Sequence, residues 1–258
     1  MSLEFLNAFK FVKKDSFLYR LDPRAKLLLA FIYTILALLF TEIIPLFIIF
    51  LTLLPVIVFG KLLNEWIRSI RGVSFLFIII LILNTLFIQN HGFSYGIAMI
   101  IRITVMISSF SIFFLTVDPN DLALSLITMK FPYEFAFSFS LAFRFVPTIA
   151  NEAQNIMDAQ MSRGYELDKK GIISQVKNLF PLLVPLIICS IRRAFNVAEA
   201  LESRAFGSSK SRTFYYSIHY SKRDWIITIY LVSLIVFGIF IRFNLPIMPN
   251  WFFWSLMV

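Results

Sequence analysis

The sequence predicts an all-α, multi-pass membrane protein with about five transmembrane helices and two further long helices on the cytoplasmic side. Three observations carry that expectation. Of 258 residues, 59% are hydrophobic and 31 are phenylalanine, with a mean hydropathy of +0.81, well above the roughly 45–50% apolar share of a soluble domain. Uncharged runs long enough to cross a bilayer recur along the chain, and Lys and Arg gather on one set of their connections. Two extended segments with few helix breakers also end in nearly the same residues, 41 positions apart.

Taken in order, Met1 to Lys14 mixes Glu4 and Asn7 among apolar residues and lacks the continuous apolar core and cleavage site of a secretory signal, so no removed leader is expected. Leu27 to Phe59 carries a single charge, Glu42, with Pro45 close behind it, and as one helix it would run about 50 Å against a hydrocarbon core of about 30 Å. It therefore predicts a hairpin of two spans turning near Thr41 to Pro45. Asp22-Pro23 marks its start, an N-cap with proline at the first helical position. A third span is expected from Val73 to Ile88, a loop at Gln89-Asn90-His91-Gly92, a fourth span from Tyr95 to Val117 and a fifth from Trp225 to Ile241.

Six Lys and Arg precede Leu27, three lie in Lys61 to Arg71 and thirteen between Asp118 and Asp224, while the turns at 41–45 and 89–94 hold none. Cations collect on the cytoplasmic side. The N-terminus and the 118–224 segment are thus expected in the cytoplasm and the C-terminus outside, with the tryptophans of Asn244 to Val258 as an outer interfacial anchor. Three domains follow: 1–117 with four spans, 118–224 at the cytoplasmic face, and 225–258 with the last span and tail. The net charge of +9 reports orientation, and no nucleic-acid partner is expected.

The 118–224 segment is too long for a structureless connection. Asp118-Pro119-Asn120-Asp121 is a turn and N-cap cluster, followed by a short apolar stretch, Leu122 to Met129, that Phe131-Pro132 ends. Tyr133 to Arg163 predicts one helix of about 45 Å, kinked at Pro147 and closed by Gly164. After a polar turn at Lys169-Lys170-Gly171, a second long helix carries Pro181 and Pro185 early and ends near Arg204 and Gly207. The first half of each is almost wholly apolar, Phe135 to Val146 and Phe180 to Ile188, and belongs against lipid or another membrane protein.

Several chemistries are excluded. No glycine-rich phosphate loop occurs, so the chain cannot hold ATP in the P-loop manner. His91 and His219 fall on opposite sides of the membrane, and the lone Cys189 sits in an apolar run, so neither a metal site nor a disulfide is expected. Carboxylates are absent from the expected spans, which removes the usual relay of an ion-coupled carrier. No acid, base and nucleophile cluster suggests an enzyme. Arg102 lies inside the fourth span, where a charge is functional by default, yet within about two turns of the outer end, where it can snorkel. A self-contained carrier or channel lined by Arg102, Asn84 and Gln89 is the rival reading.

What remains is the repeat. Ala153, Asn155, Ala159, Ser162 and Arg163 return as Ala194, Asn196, Ala200, Ser203 and Arg204, and Asp158 pairs with Glu199. Each copy sets an arginine in the last turn of a helix among small residues, where its planar fork can meet a carboxylate or carbonyl cluster in a bidentate way that lysine cannot. The plainer account, an arginine complementing the helix dipole, suits one copy better than two. Arg144, Asp22 and Arg24 are read as structural.

Asp15-Ser16, Leu18, Leu21-Asp22-Pro23-Arg24 and Lys26 before the first span, Leu141-Ala142-Phe143-Arg144-Phe145-Val146-Pro147 leading into Glu152-Ala153, and the two arginine tips occur in the order and spacing of a known family. The chain resembles the transmembrane T component (EcfT, or CbiQ in cobalt systems) of energy-coupling factor ABC transporters. That resemblance implies a non-enzymatic subunit of the cell membrane with two crossing cytoplasmic coupling helices, each ending in an Ala-Arg-Gly-type motif seated in one of two ATP-binding subunits. It implies Ser162, Arg163, Gly164, Ser203, Arg204 and Ala205 as the docking residues, with ATP and Mg held by the partner ATPases and no cofactor held by this chain. It further implies that the apolar halves, with Phe135, Phe139 and Phe143, cradle one membrane-embedded S component that binds a vitamin or transition metal. Ser162 and Ser203 stand where the family usually has alanine, and Ala205 where it commonly has glycine, so Gly207 is the expected source of the second tip's turn.

Overall fold

The computed structural model describes residues 16–88, 92–164, 172–208 and 220–244. Expectations placed on the stretch before Ser16, on Gln89, Asn90 and His91, on Lys169-Lys170-Gly171, on His219 and on the tail after Asn244 lie outside those residues. The described residues form eight α-helices and one 3-10 turn, with no strand among them. They group into two units, one from 16–129 with 220–244 and one from 130–208.

The first unit opens with the 3-10 turn Leu18–Arg20, then α1 (Pro23–Leu39) and α2 (Ile43–Phe59). Asp22 caps α1, its Oδ1 accepting from Arg24 N at 2.9 Å. The chain turns at Phe40 to Glu42, and Pro45 sits inside the first turn of α2, where its missing N–H would be unpaired anyway. α3 runs Leu63–Phe87 and starts ten residues before the expected Val73. Hydropathy falls off at Glu65, Arg68 and Arg71 although helical hydrogen bonding continues, so the helix extends beyond the apolar stretch at its charged start. α4 (Gly92–Thr116), the short α5 (Pro119–Thr128) and α8 (Lys222–Asn244) complete this unit.

α4 packs on α1, α2 and α3, and α8 packs on α1. Leu46, Ile49, Leu53 and Ile57 of α2 recur at helical spacing and are buried with Tyr33, Leu36, Val105, Ile112 and Leu231. Gly238 brings α8 close to α1, since a Cβ there would lie 2.4 Å from Leu36 Cδ2. Polar clamps hold both ends. At one, buried Lys26 donates to Thr116 O at 2.9 Å, and the Asp224 carboxylate accepts from Asp22 N at 2.9 Å and Ser221 N at 2.8 Å. At the other, Arg102 donates to Phe40 O at 2.6 Å, and Arg242 reaches buried Glu42 at 3.4 Å.

The second unit consists of α6 (Tyr133–Ser162) and α7 (Ile172–Ser203). Among the described residues four stretches are long and apolar enough to cross a membrane: Leu63–Phe87, Gly92–Thr116, Phe180–Ser203 and Lys222–Phe243. The expected five divide differently. α3, α4 and α8 qualify, α1 and α2 have 17 residues each, at the lower end of the range of about 17–25, and part of α7 meets the same criterion.

Candidate functional site at two helix tips

α6 and α7 form by the same local logic, long runs without interior glycine, and their contacts fix how they lie. Phe206 meets Phe137 at a ring distance of 4.9 Å and Tyr133 at 5.9 Å. Glu152 pairs with Arg193, and Gln160 Nε2 donates to Pro181 O at 3.1 Å. The start of α6 therefore faces the end of α7 and the reverse, an antiparallel pair whose free ends point opposite ways. Arg163 and Arg204 lie each eleven residues beyond Glu152 and Arg193, about 16 Å along the helix, so the tips stand about 33 Å apart.

Both tips end alike. Arg163 N donates to Gln160 O at 3.1 Å and Gly164 N to Met161 O at 2.9 Å; Arg204 N donates to Leu201 O at 3.2 Å and Ala205 N to Glu202 O at 2.8 Å. Gly164 takes φ +81°, the left-handed turn that glycine enters freely. At the second tip Gly207 takes φ +91°, and Ala205 adopts the left-handed region as well, at +53°. Phe206 N reaches back to Leu201 O at 3.0 Å, a Schellman closure that holds Ala205 in place. Ser162 and Ser203 turn their hydroxyls onto their own helices, toward Asp158 O at 2.9 Å and Ala200 O at 3.0 Å, so each behaves as a small residue toward a partner.

Arg163 and Arg204 are exposed. Among the described residues neither meets a carboxylate or any other side-chain partner. Each offers a full guanidinium fork at the end of a rigid arm, with the last-turn residues Ser162 and Gly164, or Ser203 and Ala205, small enough for a surface to approach the backbone.

Of the predicted apolar contact residues, Phe135 and Phe143 are exposed, and half-buried Phe139 sits edge-on to Phe143 at 4.7 Å. Phe135, Phe139 and Phe143 recur four residues apart along α6, and Phe131, just ahead of the helix, stacks on Phe135 at a ring distance of 6.2 Å. Sequence reasoning ended the apolar part of α7 at Ile188. Exposed Phe180, Leu183, Val184, Ile187, Ile188, Ile191 and Phe195 extend it by two further turns, and their three-and-four spacing was the available signal. The Glu152–Arg193 pair also escaped notice, although its spacing equals that of the repeat.

Of the rival path, Gln89 lies outside the described residues, and Asn84 and Arg102 turn to the backbone. Asn84 Nδ2 donates to Ile80 O at 2.8 Å, and Arg102 to Phe40 O. Among the described residues no three His, Cys, Asp or Glu side chains gather as a metal site.

Residues 14–216 match the family model described as cobalt transport protein, CbiQ. The chain is 29% identical to the energy-coupling factor transporter transmembrane protein EcfT of Clostridium kluyveri, over 90% of this chain and 95% of that one. It is 30% identical to EcfT of Streptococcus thermophilus over 89% and 95%, and 31% identical to EcfT of Macrococcus caseolyticus over 84% and 88%.

Proposed function

The chain belongs to the CbiQ/EcfT family, the transmembrane components of energy-coupling factor transporters, and on that footing we propose that it links two ATP-binding subunits to one membrane-embedded S component. The observation that carries this reading is the pair of equivalent, exposed arginines on arms of equal length that point apart. A buried pairing would have made them scaffold; two separated forks call for two sockets.

In this reading Ser162, Arg163 and Gly164 dock in one ATPase and Ser203, Arg204 and Ala205 in the other. The sockets are acidic or carbonyl-rich, since only charge-assisted bonds offset the desolvation of a guanidinium. ATP and Mg stay in the partner subunits. When those subunits close and reopen, each drags its own tip, and α6 and α7 act as levers because helices of 30 and 32 residues resist compression along their axes.

The exposed faces at Phe135, Phe139 and Phe143 and along α7 take the S component, whose movement releases a vitamin or a transition metal inward. α7 suits the bilayer surface: its exposed apolar residues form one stripe, with Arg192, Asn196 and Glu199 along its flank. The N-terminus and the 118–224 segment then face the cytoplasm and the C-terminus the outside, with 1–117 and the last span of 225–258 as the membrane anchor.

Pull-down from membranes tests the reading. The parent chain is expected to bring down two nucleotide-binding chains, and the Arg163→Ala, Arg204→Ala variant to lose them while still inserting in the membrane. Retention of both chains by the double variant sinks the proposal, and transport by the purified chain alone would favour a carrier.

A further inference from the structure

Glu152 and Arg193 directly precede the two copies of the repeated motif, and they are 41 positions apart, as the copies are. They are therefore equivalent positions of the two helices. In an antiparallel pair related by an approximate twofold axis, only residues on that axis can touch their own equivalents. The other contacts agree: Gln160 meets Pro181 on one side of this point, while Phe137 and Tyr133 meet Phe206 on the other. The Arg193 guanidinium also lies 5.8 Å from the centre of the Phe145 ring. Both partners are only about a quarter exposed.

What lies beside the pair matters as much. Between the bridge and the aromatic clasp, the two helices leave a groove of about 470 Å³ lined by Leu141, Phe145, Ser190, Ala194, Val197 and Leu201. Interdigitated apolar seams hold helices in discrete registers. A guanidinium and a carboxylate on flexible stems stay joined while the helices around them rotate, and the groove gives room for that rotation.

We propose that the Glu152–Arg193 ion pair is the fulcrum of the two coupling helices, fixing arms of equal length so that the tips at Arg163 and Arg204 move in step. This rests on the docking role of the tips. The two residues are positioning residues and touch neither nucleotide nor substrate.

The test uses the assembled transporter in nanodiscs, with Cys189→Ser and spin labels at Met161→Cys and Glu202→Cys. The parent should give one narrow tip-to-tip distance that shifts when a non-hydrolysable ATP analogue is added. Glu152→Gln and Arg193→Gln should each broaden that distance and abolish the shift while both ATPases remain bound, and the exchanged pair Glu152→Arg with Arg193→Glu should restore both. A Glu152→Gln complex with the parent's narrow distance and full shift overturns the fulcrum, as does an exchanged pair as broad as the single variants. Loss of the ATPases from the Arg163→Ala, Arg204→Ala variant keeps the docking reading standing in either case, so the two failures are separable.

Discussion

Cationic side chains are used in opposite ways in the two units. In the membrane unit Arg102 ties α4 to the carbonyl of Phe40, Arg242 ties α8 to Glu42, and Lys26 spans to the end of α4 at Thr116. In the helix pair, among the described residues, only Arg193 is spent in this manner, on Glu152, while Arg163 and Arg204 stand exposed at the ends. Buried charge without a partner is costly, so buried Lys26 and Glu42 and half-buried Arg102 had to be partnered. The tips are solvated and carry no such demand, which leaves their forks available for another molecule. The difference separates residues that build this protein from residues that present it.

The largest effect should come from breaking a clamp. Asp224 accepts the buried N–H of Asp22 and that of Ser221, which it also caps at the start of α8. Asp224→Ala strands both donors, and at about 1–3 kcal/mol for each stranded donor the membrane unit should lose about 3 kcal/mol, seen as a lower midpoint of thermal unfolding in detergent. Variant that does insert should capture ATPase subunits like the parent, since the tips lie in the other unit. An unchanged melting midpoint would show that the clamp is ornamental.

A smaller effect is expected at the tips when charge is kept and shape is lost. Arg163→Lys or Arg204→Lys retains the cation but not the planar fork, and each should weaken capture of an ATPase subunit by about tenfold, or about 1.4 kcal/mol. Unfolding of the isolated chain should not shift. Equal binding by the lysine variants would mean that the sockets read charge alone, and the bidentate argument would fail.

The two units also differ in how much their sequences disclosed. The hairpin of α1 and α2 was legible because uncharged length and Glu42 with Pro45 are local signals, and so was the end of α6 at Gly164. The start of α3 was not, because Arg68 and Arg71 look like a connection to any reading based on hydropathy. The tips could be found because a repeat is visible without knowing what touches what. The clamp between Asp22 and Asp224 joins residues 202 positions apart, and nothing local at either position announces the other. Arg102 carried two readings, a path and a snorkel, and its contact with Phe40 is a third that only the turn of the hairpin makes available. Glu152 with Arg193 lies between these cases, since the repeat spacing alone named the pair, provided the helices were known to run antiparallel.

The smallest effect distinguishes the two tips from each other. Gly164 and Ala205 both occupy the left-handed region, at φ +81° and +53°, and a Cβ on Gly164 would meet nothing within 4 Å. Sterics with neighbours are therefore silent, and the backbone preference decides: an L-residue there costs roughly 1–2 kcal/mol relative to the right-handed form, a cost glycine avoids. Ala205 bears it because the Phe206 N–H to Leu201 O bond and the ring contacts of Phe206 with Tyr133 and Phe137 hold the turn shut. Gly164→Ala should then loosen the first tip by about 1 kcal/mol, speeding hydrogen exchange at the Gly164-position amide by about fivefold. Ala205→Gly should slow exchange at Phe206 by a similar factor or less, because glycine's greater freedom in the unfolded chain offsets part of the gain. If both substitutions change exchange in the same direction, backbone strain is not what sets the two tips apart, and the aromatic clasp on Phe206 alone accounts for the second turn.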